Sequence, residues 1–430
     1  MIAMPEVKEQ VPLVSEMSEN LIGSEIIRIA GEINEKIKKG EKIFNLTIGD
    51  FAPSIFPIPI QLRDGIIEAL KSGNTNYPPA NGIPELRNAV SALLKRTQNL
   101  DYSPDNILIA SGARPLIFGT YVTMLNPGDK VIFPIPSWNN NHYCHLTKTN
   151  SYIVETKPEN NFMPVADEIK EYVHDASMIA LCSPLNPTGT VFSKEGLGDI
   201  CDLVVEENRR RKGHRKPLYI LYDQIYSSLT FGEVKHYDPV SLRPELRDYT
   251  IFIDGISKSL AATGIRVGWS FGPPYVMERM KAFLSHVGTW APKAEQVATA
   301  AFLKDEESYN AFTTEFRKKI SDRLNALYAG FAELKKEGFN VEAISPQAAI
   351  YLTVKFGLQG MKTDSGEILR NTPDVTAYLL NEGHLGIVPF YAFGSPDESA
   401  WYRISVGTCQ LEEIPQLFTH LRSALQRLTK

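Results

Sequence analysis

The stretch Gly255-Ile256-Ser257-Lys258-Ser259, followed by Gly264-Ile265-Arg266-Val267-Gly268, sets a lysine and an arginine on either side of one short loop. A lysine amine forms imines with carbonyl compounds when a partly desolvated, electropositive site lowers its pKa enough to free the base. An arginine beside it can neutralise a phosphate through its planar fork. Taken singly, Lys258 and Arg266 each read as half of a structural ion pair. Asp223-Gln224-Ile225-Tyr226 adds a second group to weigh with them. It follows the apolar run Leu218–Tyr222, and a carboxylate buried at a strand end is costly unless it meets a cation. The protonated ring nitrogen of pyridoxal phosphate is one such cation, and Asp223 beside it would preserve the ring's electron-sink character. Tyr226 can then donate to the phenolic oxygen of the ring. A cap or turn for Asp223 and core packing for Tyr226 are the competing readings.

Three further segments belong to the same pattern. Met178–Cys182 leads into Ser183-Pro184-Leu185-Asn186-Pro187-Thr188-Gly189, where the following proline keeps Asn186 extended with its amide outward; a simple turn explains this equally well. Ile107–Ala110 leads into Ser111-Gly112-Ala113-Arg114, whose small residues let backbone N–H groups approach an anion at a helix start. Pro134-Ile135-Pro136-Ser137-Trp138 presents an aromatic ring able to stack on a flat cofactor, although a lone tryptophan is also ordinary core. No glycine-rich dinucleotide loop, phosphate-cradling lysine loop, Gly-x-Ser-x-Gly elbow or paired-histidine metal pattern is evident, so no metal is expected.

All of these residues need elements that bring them together. Short apolar runs at Asn106–Ala110, Lys130–Pro134, Tyr152–Thr156, Met178–Cys182, Leu218–Tyr222, Thr250–Asp254 and Arg266–Phe271 read as strands buried on both faces. The chemical groups fall at or just beyond the C-terminal ends of successive strands, where open parallel sheets bind ligands. Helical spacing between them, as in Leu86, Val90, Leu93 and Leu94, predicts an α/β fold with a mostly parallel sheet covered by helices, over residues 56–305. A helix from about Asn310 to Lys336, strands near Phe339–Ala343, Ala349–Val354 and Trp401–Ser405, and a closing helix with Leu417, Leu421, Ala424 and Leu428 on one stripe predict a smaller α+β domain over 306–430. Residues 1–55, with a helix from about Ser24 to Lys38 and a strand at Ile43–Ile48, are expected to pack on that smaller domain.

The chain has 430 residues and a formal charge of -5, which argues against broad nucleic-acid binding. The basic run Arg209-Arg210-Arg211-Lys212 reads as a solvated helix end. Four scattered cysteines, an N-terminus (Met1 to Met17) without the apolar core of a signal peptide, and no uncharged stretch of membrane-spanning length point to a cytoplasmic protein without a membrane anchor.

With these residues assembled, the chain resembles the pyridoxal-phosphate aminotransferases of fold type I, class I and II, over nearly all its length. Asn186-Pro187-Thr188-Gly189, Asp223-x-x-Tyr226, Ser257-Lys258, Arg266 and finally Arg403 in Tyr402-Arg403-Ile404-Ser405 occur in that family's order and approximate spacing. The resemblance implies that Lys258 is the Schiff-base lysine, Asp223 the pyridinium partner, and Asn186 and Tyr226 the groups on the phenolic oxygen. It implies that Trp138 stacks on the ring and that Gly112, Ala113, Ser257 and Arg266 cradle the phosphate. Tyr77 resembles the tyrosine that reaches this phosphate across a homodimer interface, Gly49 the glycine near the substrate, and Arg403 the arginine that grips the α-carboxylate. Three segments depart from the family pattern: Gly49-Asp50-Phe51-Ala52-Pro53, Gln224 where glutamate is usual, and Phe390-Tyr391 after Pro389.

The implied reaction is ping-pong transfer of an amino group from an amino acid to a 2-oxo acid, with the Lys258 amine as general base and acid. An acidic amino acid is the first expectation and an aromatic one the second. Arg114, Lys293, His142, His286 and Trp290 are candidates for reading the side chain. The rival readings are a lyase, decarboxylase or synthase on the same fold, and a non-catalytic sensing module.

Overall fold

The computed structural model describes residues 13–21, 23 and 25–430; Met1–Pro12, part of the N-terminus discussed above, and Ser24, the expected helix start, lie outside the described residues. Helix Glu25–Lys38 leads to a two-residue strand, β1 (Phe44–Asn45). Seven strands follow: β2 (Ile107–Ala110), β3 (Lys130–Ile135), β4 (Asn150–Glu155), β5 (Met178–Cys182), β6 (Tyr219–Asp223), β7 (Thr250–Gly255) and β8 (Gly268–Phe271). Beyond helix Glu306–Lys336 come β9 (Val341–Ala343), β10 (Tyr351–Phe356), β11 (Leu385–Gly386), β12 (Val388–Pro389) and β13 (Trp401–Ser405).

The large sheet has the order β2-β8-β7-β6-β5-β3-β4. Only β8 runs antiparallel to its neighbours, so the architecture is α/β with a mostly parallel sheet, as expected. Alternate side chains along the central strands enter opposite layers, which is why those strands are largely apolar, whereas the edge strand β4 is mostly exposed and corrects the expectation of a strand buried on both faces at Tyr152–Thr156. Ile107, Ile179, Leu181, Ile220 and Phe252 pack beneath the helices Pro84–Gln98, Lys194–Arg211 and Lys293–Lys304. Leu108, Val131, Ala180, Leu221 and Ile253 pack against Ala113–Met124 and Pro274–Val287.

The second sheet is antiparallel, in the order β12-β13-β10-β9. Phe316, Ile320, Leu324, Leu327, Phe331 and Leu334 recur at helical spacing on Glu306–Lys336 and bury against Leu352, Val354, Ile404, Leu417 and Leu421. The N-terminal segment joins this sheet's neighbourhood, because β1 pairs parallel with β11 and Ser405 N donates to Leu46 O at 2.8 Å.

Some expected elements shift. The strand expected over Ile43–Ile48 contracts to Phe44–Asn45, since Leu46 O serves Ser405 and Thr47 O serves the Arg403 side chain instead of a neighbouring ladder. The strand expected from Ala349 begins at Tyr351: Ala349 has φ +59°, which no strand accommodates. Arg266 is likewise outside β8, at φ +62°. In the basic run, Arg211 is buried against Glu207 and Val173 O, whereas its neighbours Arg209, Arg210 and Lys212 stay exposed. No helix among the described residues is long and apolar enough to cross a membrane.

Candidate active site

The carboxyl ends of β2, β3, β5, β6 and β7 lie on one edge of the large sheet, and the loops leaving them converge with the N-terminal segment and β13. Lys258 sits in the single turn Ile256–Ser259 directly after β7, and its Nζ donates to Gly49 O at 2.6 Å. Its amine stands 5.8 Å from the ring centroids of both Phe51 and Tyr226. Burial pulls the Lys258 pKa down to about 8; Asp50 opposes this, and Arg403, Arg114 and Arg266 reinforce it. Such an amine deprotonates near neutral pH, which is what a nucleophilic or basic lysine requires.

Asp223 ends β6. Its side chain accepts a hydrogen bond from Ile225 N at 3.0 Å, and burial pushes its carboxyl up to about 6. One neutral donor does not offset the desolvation of a carboxylate, so the position favours a cationic partner. The Tyr226 hydroxyl lies 2.6 Å from that of Tyr351, the first residue of β10.

Arg403 lies on β13 and is 1% exposed. Nη1 donates to Asn186 Oδ1 at 3.0 Å and Nη2 to Thr47 O at 2.6 Å, while the guanidinium is flanked by Tyr351 at 4.7 Å and Phe393 at 4.9 Å. Its Nε has no partner among the described residues, and burial lowers its pKa. A guanidinium buried without an anion is a strong anion site, and a carboxylate matches its geometry.

The opposite end of the site is also built for an anion. Gly112, at φ +91°, caps the helix Ala113–Met124, and a Cβ there would stand 2.2 Å from Arg266 Nη2. Arg266 adopts its left-handed backbone so that Nη1 donates to Thr263 O (2.7 Å) and Nη2 to Ser111 O (2.8 Å), which corrects the expectation that it opens a strand. Ser257 is buried at the start of the Lys258 turn. Backbone N–H groups at a helix start beside a guanidinium can seat a phosphate. Gly112→Ala combines a strained φ with that clash, so it is expected to weaken pyridoxal-phosphate binding about tenfold or more. Absorbance titration of the apoprotein measures this, and an unchanged affinity would place the phosphate elsewhere.

Other sequence candidates fall differently. Trp138 is half-buried, with the Arg114 guanidinium 5.2 Å from its ring and Phe393 at 6.4 Å. His142 is half-buried and shares a cavity with Trp138 and Phe393. Tyr77 is 80% exposed and packs on Trp290 at 5.1 Å, so within one chain it does not reach the site. Lys293 donates to Asn76 Oδ1 at 2.7 Å, and His286 is exposed. Asp50, Tyr351 and Phe393 were not singled out as site residues by the sequence. Asp50 accepts from Thr263 Oγ1 at 2.6 Å and is the negative charge that acts on both Lys258 and Arg266.

A buried amine, a buried carboxylate lacking a cation, and a helix start with an arginine fit the aldehyde, ring nitrogen and phosphate of pyridoxal phosphate respectively. The fold and these groups thus define a pyridoxal-phosphate enzyme. The model of the family described as aminotransferase class I and II matches residues 41–421, and the chain belongs to that family and is a pyridoxal-phosphate-dependent aminotransferase. It is similar to the aspartate aminotransferase of Bacillus sp. (strain YM-2), with 28% identity over 92% of this chain and 95% of that one. A probable aspartate/prephenate aminotransferase of Rhizobium leguminosarum bv. phaseoli is 29% identical over 91% of this chain and 94% of its own length. Among solved structures, the aspartate aminotransferase from Thermus thermophilus with maleate superposes with TM-score 0.83 at 25% identity, covering 96% of this chain and all of that one (100%). The aromatic aminotransferase from Pyrococcus horikoshii OT3 gives 0.78 at 27%, covering 92% of this chain and 98% of that one.

Proposed function

We propose that this aminotransferase acts on an acidic amino acid and a 2-oxo acid, with Arg403 holding the α-carboxylate and Arg114 reading the distal one. Pyridoxal phosphate, when bound, supplies an aldehyde that captures the amino group and a ring that accepts electron density. Lys258 provides the amine that takes a proton from the substrate Cα and returns it during transfer. Asp223 would meet the ring nitrogen, Asn186 and Tyr226 the phenolic oxygen, and Trp138 the ring face. Gly112, Ala113, Ser257 and Arg266 hold the phosphate, and Gly49 lies beside the substrate. The relatives named for aspartate support the acidic preference. The observation that carries it is the second cation: Arg114 lies over Trp138 and acts electrostatically on both Lys258 and Arg266, which none of the other four candidate readers does.

Assay against a panel of amino acids with 2-oxoglutarate as acceptor tests this. Arg114→Gln is expected to lower kcat/KM for acidic donors about 10- to 100-fold, the worth of a charge-assisted hydrogen bond, and to change aromatic donors little. Equal losses on both classes would remove Arg114 from specificity. The aromatic surroundings formed by Trp138, Phe393 and Tyr351 favour aromatic donors as the second substrate class.

In this reading residues 56–305 carry the cofactor, while 1–55 and 306–430 form the smaller unit that brings the carboxylate clamp. The exposed Tyr77 reaches the phosphate seat of a second copy in a homodimer with shared sites. The free cysteines Cys144, Cys182, Cys201 and Cys409 suit a reducing cytoplasm.

A further inference from the structure

Gln224, one residue beyond Asp223, is completely buried. Its amide nitrogen donates to Asp254 Oδ2 at 3.2 Å and to Gln98 Oε1 at 3.0 Å, and its carbonyl oxygen lies 3.3 Å from His236 Nε2. Asp254 is the penultimate residue of β7, four positions before Lys258. Its Oδ1 accepts from Gly255 N at 2.7 Å, and its Oδ2 also faces Ser227 Oγ at 3.4 Å. Gln224 follows Asp223 and Ser227 follows Tyr226, so one buried carboxylate ties both ring-facing residues to the lysine turn.

We propose that Gln224 and Asp254 are a matched positioning pair that limits the buried negative charge behind Asp223, leaving Asp223 as the carboxylate that stays ionised for the ring nitrogen. This rests on the reading of Asp223 given above. Neighbouring carboxylates in a desolvated site resist ionising together. An amide at 224 donates to Asp254 without adding charge, whereas a glutamate of the same shape would force three carboxyl groups to share protons.

Among the described residues no cation contacts the pair. Asp254 faces Gln224, Ser227 and the Gly255 N–H, with Asp223 and the Tyr309 phenol within electrostatic range. His236 is held neutral, burial lowering its pKa to about 4. Asp223 faces the Ile225 N–H, with Cys182 on the adjoining strand and Tyr143 near. Burial pushes Asp254 up to about 7, with the charge of Asp223 contributing.

Asp254→Asn tests the pair with little change of shape. Asp254 ionises at higher pH than Asp223, so Asp254→Asn is expected to leave the acid limb of the kcat/KM profile within about 0.2 pH unit of the parent. Gln224→Glu is expected to move it higher and to cost roughly tenfold in kcat at neutral pH. The double variant, Gln224→Glu with Asp254→Asn, exchanges amide and carboxyl between the two positions. It should return to within about threefold of the parent, which independent losses would not allow.

A second readout needs no turnover. Carboxyls whose folded pKa is raised keep protons that the unfolded chain releases, so the stability of the apoprotein falls as pH rises from about 4 through about 7. Asp254→Asn should make that fall shallower. An acid limb that Gln224→Glu leaves unmoved, or losses that simply add in the double variant, overturns the pair. Asp223→Asn separates the two readings. Full activity in it would sink the role of Asp223, whereas an inactive Asp223→Asn beside an unmoved Gln224→Glu acid limb would sink the pair alone.

Discussion

Lys258→Ala is expected to lower transamination by at least about 10⁴-fold, because on the proposed mechanism one substitution removes both the imine-forming amine and the group that moves the proton at Cα. The structure gives that amine no substitute. Its contacts are Phe51, Tyr226 and the Gly49 carbonyl, none of which is a base near neutral pH, and the nearby Asp50 carboxylate is tied to Thr263 Oγ1 at 2.6 Å and Phe51 N at 2.8 Å. Lys258→Arg should not restore activity, since a guanidinium keeps its proton. Steady-state assay with 2-oxoglutarate, with circular dichroism as a check on folding, decides the matter. Activity within a hundredfold of the parent would mean that another group carries the proton.

Arg403→Ala is expected to reduce kcat/KM by roughly 10²- to 10⁴-fold for every amino-acid donor, the worth of two charge-assisted hydrogen bonds lost in a buried site. The loss should be indifferent to the substrate side chain, unlike that of Arg114→Gln. Lysine at 403 should recover little of it. Asn186 and Thr47 O fix the guanidinium in its plane, and Tyr351 and Phe393 hold its faces, so a point charge on a flexible stem meets neither constraint. Saturation kinetics on one acidic and one aromatic donor separate the two arginines. A loss confined to one donor class would transfer Arg403 from carboxylate binding to side-chain recognition.

The sequence revealed the strands of the sheet because those buried on both faces carry short unbroken apolar runs, as Ile107–Ala110 in β2 and Ile251–Ile253 in β7 do. Lys258, Asp223 and Asn186 were legible because they follow such runs directly. Arg266 was found, but not its conformation: its positive φ serves contacts with Ser111 and Thr263, and no local pattern encodes an arginine in that region. Tyr351 and Phe393 escaped notice for a different reason. They come from the C-terminal part of the chain and meet Arg403 and Tyr226 only through tertiary packing. The departure at Gln224 was visible, but its meaning was not, since its partners Gln98, His236 and Asp254 are scattered along the chain.

Borohydride reduction of the protein after incubation with pyridoxal phosphate, followed by peptide mapping, bears most directly on the chemistry proposed for this site. A yellow protein bleached by the reagent, with the pyridoxyl mass on the peptide that contains Lys258, is the expected outcome. A colourless protein, or a label on some other lysine, would contradict it.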